Sequence, residues 1–317
     1  MSYSVALYIV GGAVLAFVAV TANVWKSDVP VESLKTRYAD SSSQFIELDG
    51  MMVHVRDEGN KDDPTPIVLL HGTGSSLQAW DGWTSQLKAK RRVIRLDRPG
   101  FGLTGPNPSG DYSMEYYVGF LARLLDQLRI RNPAIIVGNS SGGYMAWRFA
   151  VAYPDRVSKL VLIDPAGYPR STPLPSNLAM AMNPRMDIIT QHILPISSVR
   201  KGLEASYGDP SRITTTDVQR YYDITRRKGN RAALGATLRQ STGHENPDLI
   251  NQVKASTLVM WGTKDTVIPA SPDAEEFHHR IAGSTLVMLP GVGHLGQEED
   301  PIGTVATFER WLGSSTD

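Results

Sequence analysis

Residues 134–143 read Ala-Ile-Ile-Val-Gly-Asn-Ser-Ser-Gly-Gly, and this stretch decides the fold. Ala134 to Val137 is a short apolar run rich in β-branched residues, which predicts a buried strand. Positions 138–142 then match the pattern G-x-S-x-G, and a helical stretch follows from Ser141 to about Ala152. Strand, tight turn and helix are the setting of a nucleophile elbow, which holds the hydroxyl of Ser140 clear of the sheet edge. A glycine-rich turn with a capping serine is the alternative, because so short a pattern recurs by chance.

The composition excludes several classes of function. The chain has 317 residues, enough for one large α/β domain or two smaller ones. Its formal net charge is zero and no basic stripe appears, so nothing favours nucleic acid as a partner. The absence of cysteine excludes disulfides, thiolate catalysis and cysteine-ligated zinc.

Neither a cofactor nor a metal is expected. The glycines at 100–105 fit G-x-G-x-x-G after a predicted strand, but Pro106 and Pro108 forbid the helix that a dinucleotide site requires. No pair of histidines has the spacing and context of a metal site. The histidines without any partner pattern are His54, His192, His244, His278 and His279.

The N-terminal segment is apolar. Val5 to Ala22 carries no charge, and as a helix it would extend about 27 Å, close to the hydrocarbon thickness of a bilayer. Tyr3, Tyr8 and Trp25 would lie at the interfaces. We therefore expect residues 1–25 to form a single-pass membrane anchor, with a cleaved signal peptide, and hence secretion, as the first alternative and a buried helix as the second.

Strands that alternate with helices predict the rest of the architecture. Residues 26–43 are polar and favour a linker, and Asp49-Gly50 indicates a hairpin turn. The rhythm indicates a mostly parallel, eight-stranded α/β sheet flanked by helices, formed by residues 44–167 and 254–317. The predicted strands are Phe45–Leu48, Met52–Arg56, Ile67–Leu70, Arg92–Leu96, Ala134–Val137, Val157–Ile163, Thr257–Trp261 and Thr285–Leu289.

Residues 168–253 interrupt this rhythm. The segment begins with several prolines, continues with methionines at 180, 182 and 186, and contains several helical stretches. We interpret it as an inserted helical lid over an apolar substrate, although methionine-rich helices more often simply fill a core.

Three residues of types that act together in nucleophilic catalysis follow three predicted strands, in the order Ser140, Asp265, His294. A serine hydroxyl needs a base to remove its proton, and the base works best when a carboxylate fixes its tautomer. The carboxyl ends of parallel strands share one sheet edge, so we expect these side chains to converge there. Asp164 also ends a strand and is the rival acid, although Asp164-Pro165 resembles a turn.

A serine hydrolase also needs N–H donors for the oxyanion that forms during acyl transfer. The N–H of Ser141 lies at the predicted helix N-terminus, directly after the elbow serine. Thr73, in the loop that begins His71-Gly72, is the best candidate for the second donor.

With these residues placed, residues 44–317 resemble the α/β-hydrolase fold superfamily. The resemblance implies a Ser140–Asp265–His294 triad, a lid after the sixth strand, and oxyanion donors from Thr73 and Ser141. The motifs that carry it are His71-Gly72-Thr73-Gly74, Asp97-Arg98-Pro99-Gly100-Phe101-Gly102, Gly138-Asn139-Ser140-Ser141-Gly142-Gly143, Asp265 with Val267 and Pro269, and Gly293-His294.

The resemblance also bears on the reaction. A serine at the elbow argues against the haloalkane dehalogenase and epoxide hydrolase branches, which have aspartate there. Gly-Asn-Ser-x-Gly-Gly is similar to the meta-cleavage-product C–C hydrolases. Those enzymes typically have tryptophan after the catalytic histidine, where this chain has Leu295.

The sequence therefore predicts a serine hydrolase that cleaves a carboxylic ester with an apolar moiety through an acyl-enzyme on Ser140. Hydrolysis of a C–C bond and perhydrolase chemistry at the same triad remain alternatives, and so does a ligand-binding receptor with little turnover. The expected partners are a small apolar ester or acyl substrate and a membrane contacted through the N-terminal segment.

Overall fold

An eight-stranded sheet forms the centre of this computed structural model, which describes residues 25–170, 173–174, 176–241 and 246–314. The strands lie in the order β1-β2-β4-β3-β5-β6-β7-β8; β2 is antiparallel to both of its neighbours, and the remaining pairs are parallel. The mostly parallel sheet of eight strands expected from the sequence is confirmed. The strands are β1 Ser43–Leu48, β2 Met51–Gly59, β3 Ile67–Leu70, β4 Arg92–Leu96, β5 Ala134–Asn139, β6 Val157–Ile163, β7 Ser256–Gly262 and β8 Thr285–Leu289.

Helices follow or connect most of these strands. Among the described residues, five helices lie between β6 and β7, and seven lie elsewhere along the chain. In chain order they are α1 Val31–Tyr38, α2 Asp81–Leu87, α3 Met114–Gln127, α4 Ser141–Ala152, α5 Ser176–Met182, α6 Asp187–His192, α7 Ile196–Ser206, α8 Thr215–Thr225, α9 Asn230–Ser241, α10 Ala270–Arg280, α11 Gly296–Glu299 and α12 Pro301–Ser314.

Local sequence explains where several elements begin and turn. Asp49 and Gly50 both have positive φ, of 53° and 75°, which is the backbone of the tight turn that joins β1 to β2. Helix α3 begins where expected, because the side chain of Ser113 accepts a hydrogen bond from the N–H of Tyr116.

Side chains of the central strands alternate between two cores, as the period of two in a strand requires. In β3, Val68 and Leu70 belong to the core on the face covered by α3, α4 and α10, whereas Ile67 and Leu69 belong to the core on the opposite face. That second core is closed by α2 and α12, and there the indole of Trp83 donates to Thr304 Oγ1 at 2.9 Å. Because both faces are covered, the strand ends form the exposed rim on which polar groups can collect.

Helix α1 lies within the stretch that the sequence favours as a linker. Its Leu34 is completely buried, and Arg37 and Tyr38 both donate to the carboxylate of Asp223 on α8. The polar stretch is therefore held against the helices that lie between β6 and β7.

The expected membrane localisation requires correction. No helix in the described ranges 25–170, 173–174, 176–241 and 246–314 is long and apolar enough to cross a bilayer. The segment on which the expectation depended, Val5 to Ala22, lies outside the described residues, as does the predicted N-terminal hydrophobic helix. The prediction of a single-pass anchor is therefore wrong for the part of the chain that the structure describes.

Candidate active site

Ser140 lies in a strained turn between β5 and α4. Its φ of 56° and ψ of −124° place a non-glycine residue in a backbone region that L-amino acids rarely adopt. The neighbouring chain is very close: a Cβ on Gly142 would lie 2.2 Å from the carbonyl oxygen of Leu70. Only glycine fits there, so the sequence pattern around Ser140 reflects a backbone that crosses β3 at contact distance.

His294 and Asp265 meet at the same rim. The imidazole Nδ1 lies 2.6 Å from Asp265 Oδ2, and both residues are buried. The other carboxylate oxygen, Oδ1, accepts the N–H groups of Val267 and Ile268 at 2.7 and 2.9 Å. Asp265 therefore fixes the ring and its tautomer, with Nδ1–H as the donor, and leaves Nε2 as the position that can accept a proton.

The loop that carries His294 is held to the elbow and to the helical insertion. Asn139, which precedes the elbow serine, donates its amide to the carbonyl of His294 at 2.9 Å. The N–H of His294 donates to the carbonyl of Ser206 at the end of α7, at 2.7 Å. Buried Glu299 accepts the N–H groups of Gly293 and Gly208 with Oε2, at 2.8 and 2.9 Å. The imidazole is thus positioned from three elements.

The structure does not join every predicted pair by a hydrogen bond. Among the described residues, Ser140 Oγ makes no hydrogen bond to the imidazole of His294. Asn139 nevertheless connects the backbones on which the two side chains stand. Contacts between a nucleophile and its base are often loose without substrate, and the roles of the two residues stay a prediction.

Asp164, the rival acid, lies beside Asp265. It directly follows β6 with a positive φ of 46°, is completely buried, and accepts the N–H of Gly262 at 2.8 Å through Oδ1. Burial, and then the negative charge of Asp265, hold the pKa of Asp164 well above its ordinary value. The hydrogen bond to the imidazole is made by Asp265 and not by Asp164.

Thr73 and Ser141, the two predicted oxyanion donors, are in direct contact. Thr73 Oγ1 donates to Ser141 Oγ at 2.8 Å, which joins the loop after β3 to the start of α4. In the described part of the chain neither backbone N–H donates to a carbonyl. Two donors without partners beside an elbow serine are what an oxyanion site requires.

A buried arginine, which the sequence analysis did not single out, supports this corner. Arg98 donates from Nη2 to Ser141 Oγ at 2.8 Å, and its guanidinium lies over the rings of Phe101 and Tyr117, at 5.2 and 5.3 Å from their centroids. Burial lowers the pKa of Arg98 to about 10, so it remains a cation at neutral pH. No carboxylate pairs with it within the described ranges. Its place in the motif after β4 was the only available sequence signal.

His71 holds the loop that carries Thr73. Its Nδ1 donates to the carbonyl of Gly72 at 2.8 Å, and its Nε2 accepts the N–H of Arg98 at 3.1 Å. Burial, and then the charge of Arg98, lower the pKa of His71 to about 3. A neutral imidazole of fixed tautomer therefore joins the loops after β3 and β4.

A cavity opens beside the elbow. Ser140, Ser141 and Thr73 form one end of it, and two charged residues, Arg170 and Asp273, lie on its wall. Burial raises the pKa of Asp273 to about 6. Most of the remaining wall is apolar or aromatic, contributed by Tyr144, Tyr168, Leu174, Leu178, Leu238 and Ile268.

One group of side chains among the described residues has the composition of a metal site: Asp164, Asp265 and His294, whose ligand atoms lie within 4.8 Å of one another. Two ligands of one tetrahedral zinc ion lie about 3.3 Å apart, from bond lengths of about 2.0 Å. Asp265 and His294 are joined at 2.6 Å, which leaves no room for an ion between those two atoms. Hydrogen bonding accounts for the pair, and the absence of a metal stays a prediction.

Comparison with known proteins agrees with this architecture. The model of the alpha/beta hydrolase fold family matches residues 65–301. A curated relative, 2-hydroxy-6-oxo-2,4-heptadienoate hydrolase of Pseudomonas putida, is 28% identical over 257 residues, which are 78% of this chain and 88% of the relative. The meta-cleavage product hydrolase of Pseudomonas fluorescens superposes with a TM-score of 0.70 at 25% identity, covering 85% of this chain and 95% of that one.

A further solved structure, a membrane phospholipase A described as a bacterial virulence factor, superposes with a TM-score of 0.74. It is 23% identical, and the match covers 98% of this chain and 96% of that one. At this identity the likeness concerns the fold alone.

Proposed function

The chain belongs to the α/β-hydrolase fold family, and from this premise we propose that it is a serine hydrolase that cleaves a carboxylic ester with an apolar moiety. The observation that carries the proposal is the position of the His294 imidazole. Its Nδ1 lies 2.6 Å from Asp265 Oδ2, and its loop is hydrogen-bonded to Asn139 at the elbow of Ser140. The apolar wall of the adjacent cavity supports an apolar group on the substrate.

In the proposed reaction, Ser140 Oγ attacks the ester carbonyl while His294 Nε2 takes the hydroxyl proton. Asp265 keeps the ring oriented and stabilises the imidazolium. The N–H groups of Thr73 and Ser141 hold the oxyanion, each contributing roughly 3–4 kcal/mol to the transition state. The imidazolium then gives its proton to the leaving alcohol, and water attacks the acyl-enzyme in the same manner to release the acid and free Ser140.

Arg98 assists the oxyanion without touching the substrate. Its Nη2 lies 2.8 Å from Ser141 Oγ and does not line the cavity, in a buried setting where water does not screen the charge. A cation fixed there before reaction favours the negative charge that develops on the carbonyl oxygen.

We also propose that residues 168–253 act as a lid and that residues 44–167 and 254–317 form the hydrolase core. Leu178 and Leu238, from α5 and α9, form part of the cavity wall, so the insertion contributes to the apolar surface on which a substrate would lie.

Hydrolysis of a C–C bond is the second candidate. The curated relative named as a heptadienoate hydrolase favours it, and so does Arg170 on the cavity wall, because the substrate of such an enzyme carries a carboxylate. Asp273 on the same wall opposes it whenever that carboxyl is ionised.

The test compares wild type with Ser140→Ala on two substrates, short p-nitrophenyl esters and a vinylogous diketone acid, together with labelling by a fluorophosphonate. We expect wild type to turn over the esters faster than the acid and to be labelled at one site, and Ser140→Ala to lose both activities. Faster turnover of the acid would select the second candidate. Labelling without steady-state turnover of either substrate would indicate a receptor, and equal rates for wild type and Ser140→Ala would remove the proposal.

A further inference from the structure

The mechanism above does not use the buried carboxyl group of Asp164, although it lies beside the acid that holds His294. Asp164 is completely inaccessible to solvent, and its Oδ1 accepts the N–H of Gly262 at 2.8 Å. Its other oxygen, Oδ2, is buried and has no hydrogen-bond donor among the described residues. A carboxylate oxygen buried in this way costs free energy unless a partner compensates it.

The groups around Asp164 decide what that partner can be. Ligand atoms of Asp164, Asp265 and His294 all lie within 4.8 Å of one another. The charges that act on Asp164 from other elements are those of Asp265, on the loop after β7, and Glu299, on α11, and both are negative. The imidazole of His294 already donates its Nδ1–H to Asp265. The group beside Asp164 that can accept a hydrogen bond is therefore a second carboxylate, that of Asp265. A hydrogen bond between two carboxyl groups requires a proton, and Asp164 can carry it.

We propose that Asp164 is a positioning residue that remains a neutral carboxylic acid and donates the proton on its Oδ2 to the carboxylate of Asp265. The inference rests on the proposed function, since it assigns Asp164 a part in holding the acid of that triad. Asp265 then receives four donors: Val267 and Ile268 from the backbone, His294 from the ring, and Asp164.

The raised pKa of Asp164 supports this arrangement, because burial and the charge of Asp265 both favour the protonated form. Two adjacent carboxyl groups that share one proton carry one negative charge, and the shared proton holds them together. The proton stays on Asp164 throughout turnover, so Asp164 takes no part in any bond-making step. It keeps the carboxylate of Asp265 in the plane that orients the imidazole.

The first test measures folding and needs no substrate. Asp164→Asn keeps both contacts, because the amide oxygen can accept from Gly262 and the amide N–H can donate to Asp265. The wild-type acid binds its proton more tightly in the native than in the unfolded chain, so the stability of wild type falls as pH rises above the ordinary value of 3.8. Asn has no such proton. The urea midpoint of Asp164→Asn minus that of wild type, measured in EDTA, should increase from pH 4 to pH 8.

The second test measures turnover and uses Asp164→Leu as the matched variant, which has the same number and branching of side-chain heavy atoms but no donor. We expect Asp164→Asn to keep kcat within about threefold of wild type, and Asp164→Leu to lose tenfold to about 100-fold in kcat through misplacement of the imidazole. KM should change little in either, because Asp164 does not line the cavity. A residue that only filled space would tolerate leucine as well as asparagine.

The outcomes separate this inference from the proposed function. A midpoint difference that is flat, or that decreases with rising pH, would mean that Asp164 is not held protonated and would overturn the inference. Equal loss of kcat in the Asn and Leu variants would overturn it as well, because a neutral donor would then not suffice. If neither wild type nor the variants turned over the ester or the acid, the proposed function would fail. The urea midpoints would still show whether Asp164 is protonated in the folded protein.

Discussion

Two Ser–His–Asp groups lie among the described residues, and one of them resembles a catalytic site. In the first, Ser43 Oγ is 2.8 Å from His54 Nε2, and His54 Nδ1 is 2.7 Å from Asp97 Oδ2. In the second, His294 Nδ1 is 2.6 Å from Asp265 Oδ2, and the proposed serine is Ser140 on the elbow. Measured by the histidine–aspartate distance alone, the two are equivalent.

The surroundings distinguish them. Ser43 Oγ accepts the N–H of Asp40 and the Nε–H of Arg56, at 3.2 and 3.1 Å, so its own hydrogen is committed to His54 Nε2. His54 is completely buried, and its ring stacks on Phe45 with the centroids 5.0 Å apart. Every polar side-chain atom of Ser43, His54 and Asp97 therefore has a hydrogen-bond partner.

The group formed by Ser140, His294 and Asp265 has unused hydrogen-bonding atoms around it, where a substrate would fit. Nε2 of His294 has no hydrogen-bond partner among the described residues, Ser140 lines a cavity, and the unpaired N–H groups of Thr73 and Ser141 lie beside it. The comparison teaches that a fully satisfied triad is a structural clamp, whereas unused hydrogen-bonding groups next to a cavity indicate chemistry.

The largest expected effect tests this distinction directly. His294→Gln should lower kcat/KM for the esters by roughly 10⁴-fold or more, because glutamine cannot take the serine proton. His54→Gln should keep kcat within about threefold per folded molecule, since His54 lies outside the cavity. Rates are to be normalised to the concentration of folded protein. Comparable losses in both variants would mean that the groups of His294 and His54 do not differ in catalytic role.

A second difference concerns acid stability and involves Asp97. Burial alone would raise the pKa of Asp97, but the attraction and hydrogen bond of His54, with the N–H of Leu77, hold it below its ordinary value of 3.8. The stabilisation is therefore present above pH 4 and is lost as pH falls through the lower native value, at about 1.4 kcal/mol for each pKa unit.

Urea midpoints of wild type and Asp97→Asn, taken from pH 5 downward, should converge on acidification. The sign is opposite to that of Asp164→Asn: as pH rises, the midpoint of Asp97→Asn falls relative to wild type, whereas that of Asp164→Asn rises. A constant gap between wild type and Asp97→Asn down to pH 2 would show that Asp97 gains no stabilisation from His54.

The smallest expected effect is that of Ser43→Ala. The substitution removes the acceptor of Asp40 and Arg56 and the donor to His54, and should cost about 1 kcal/mol of unfolding free energy. Fluorophosphonate labelling and ester turnover should equal those of wild type, so this variant is the matched control for Ser140→Ala. Loss of labelling in Ser43→Ala would contradict the assignment of Ser140 as the reactive serine.

Sequence patterns succeeded where the signal was local. The strand Ile67–Leu70 and the strand Thr285–Leu289 have the bounds that their apolar runs predict, and Ser113 caps α3 as expected. The turn geometry of Ser140 also follows from its own neighbours, because the glycines around it can be read in one stretch. The membrane anchor was wrong for the described residues, and hydropathy alone had suggested it.

Patterns failed where partners come from distant elements. The sequence left His54 without a partner, yet the antiparallel register of β2 and β4 brings Asp97 to it. Arg98 beneath Ser141 was missed for the same reason, since it joins the loop after β4 to the start of α4. No spacing along the chain encodes such a contact.

The sequence by itself determined the class of fold, the order of the strands along the chain and the set of candidates Ser140, Asp265 and His294, because strand periodicity and glycine turns are properties of neighbouring residues. Only the tertiary structure decided which of two acids holds His294 and which of two Ser–His–Asp groups faces a cavity. It also placed Asp164 beside Asp265. Hydrogen bonds and burial depend on distances of a few ångströms between segments that are far apart in the chain, and strand pairing sets those distances.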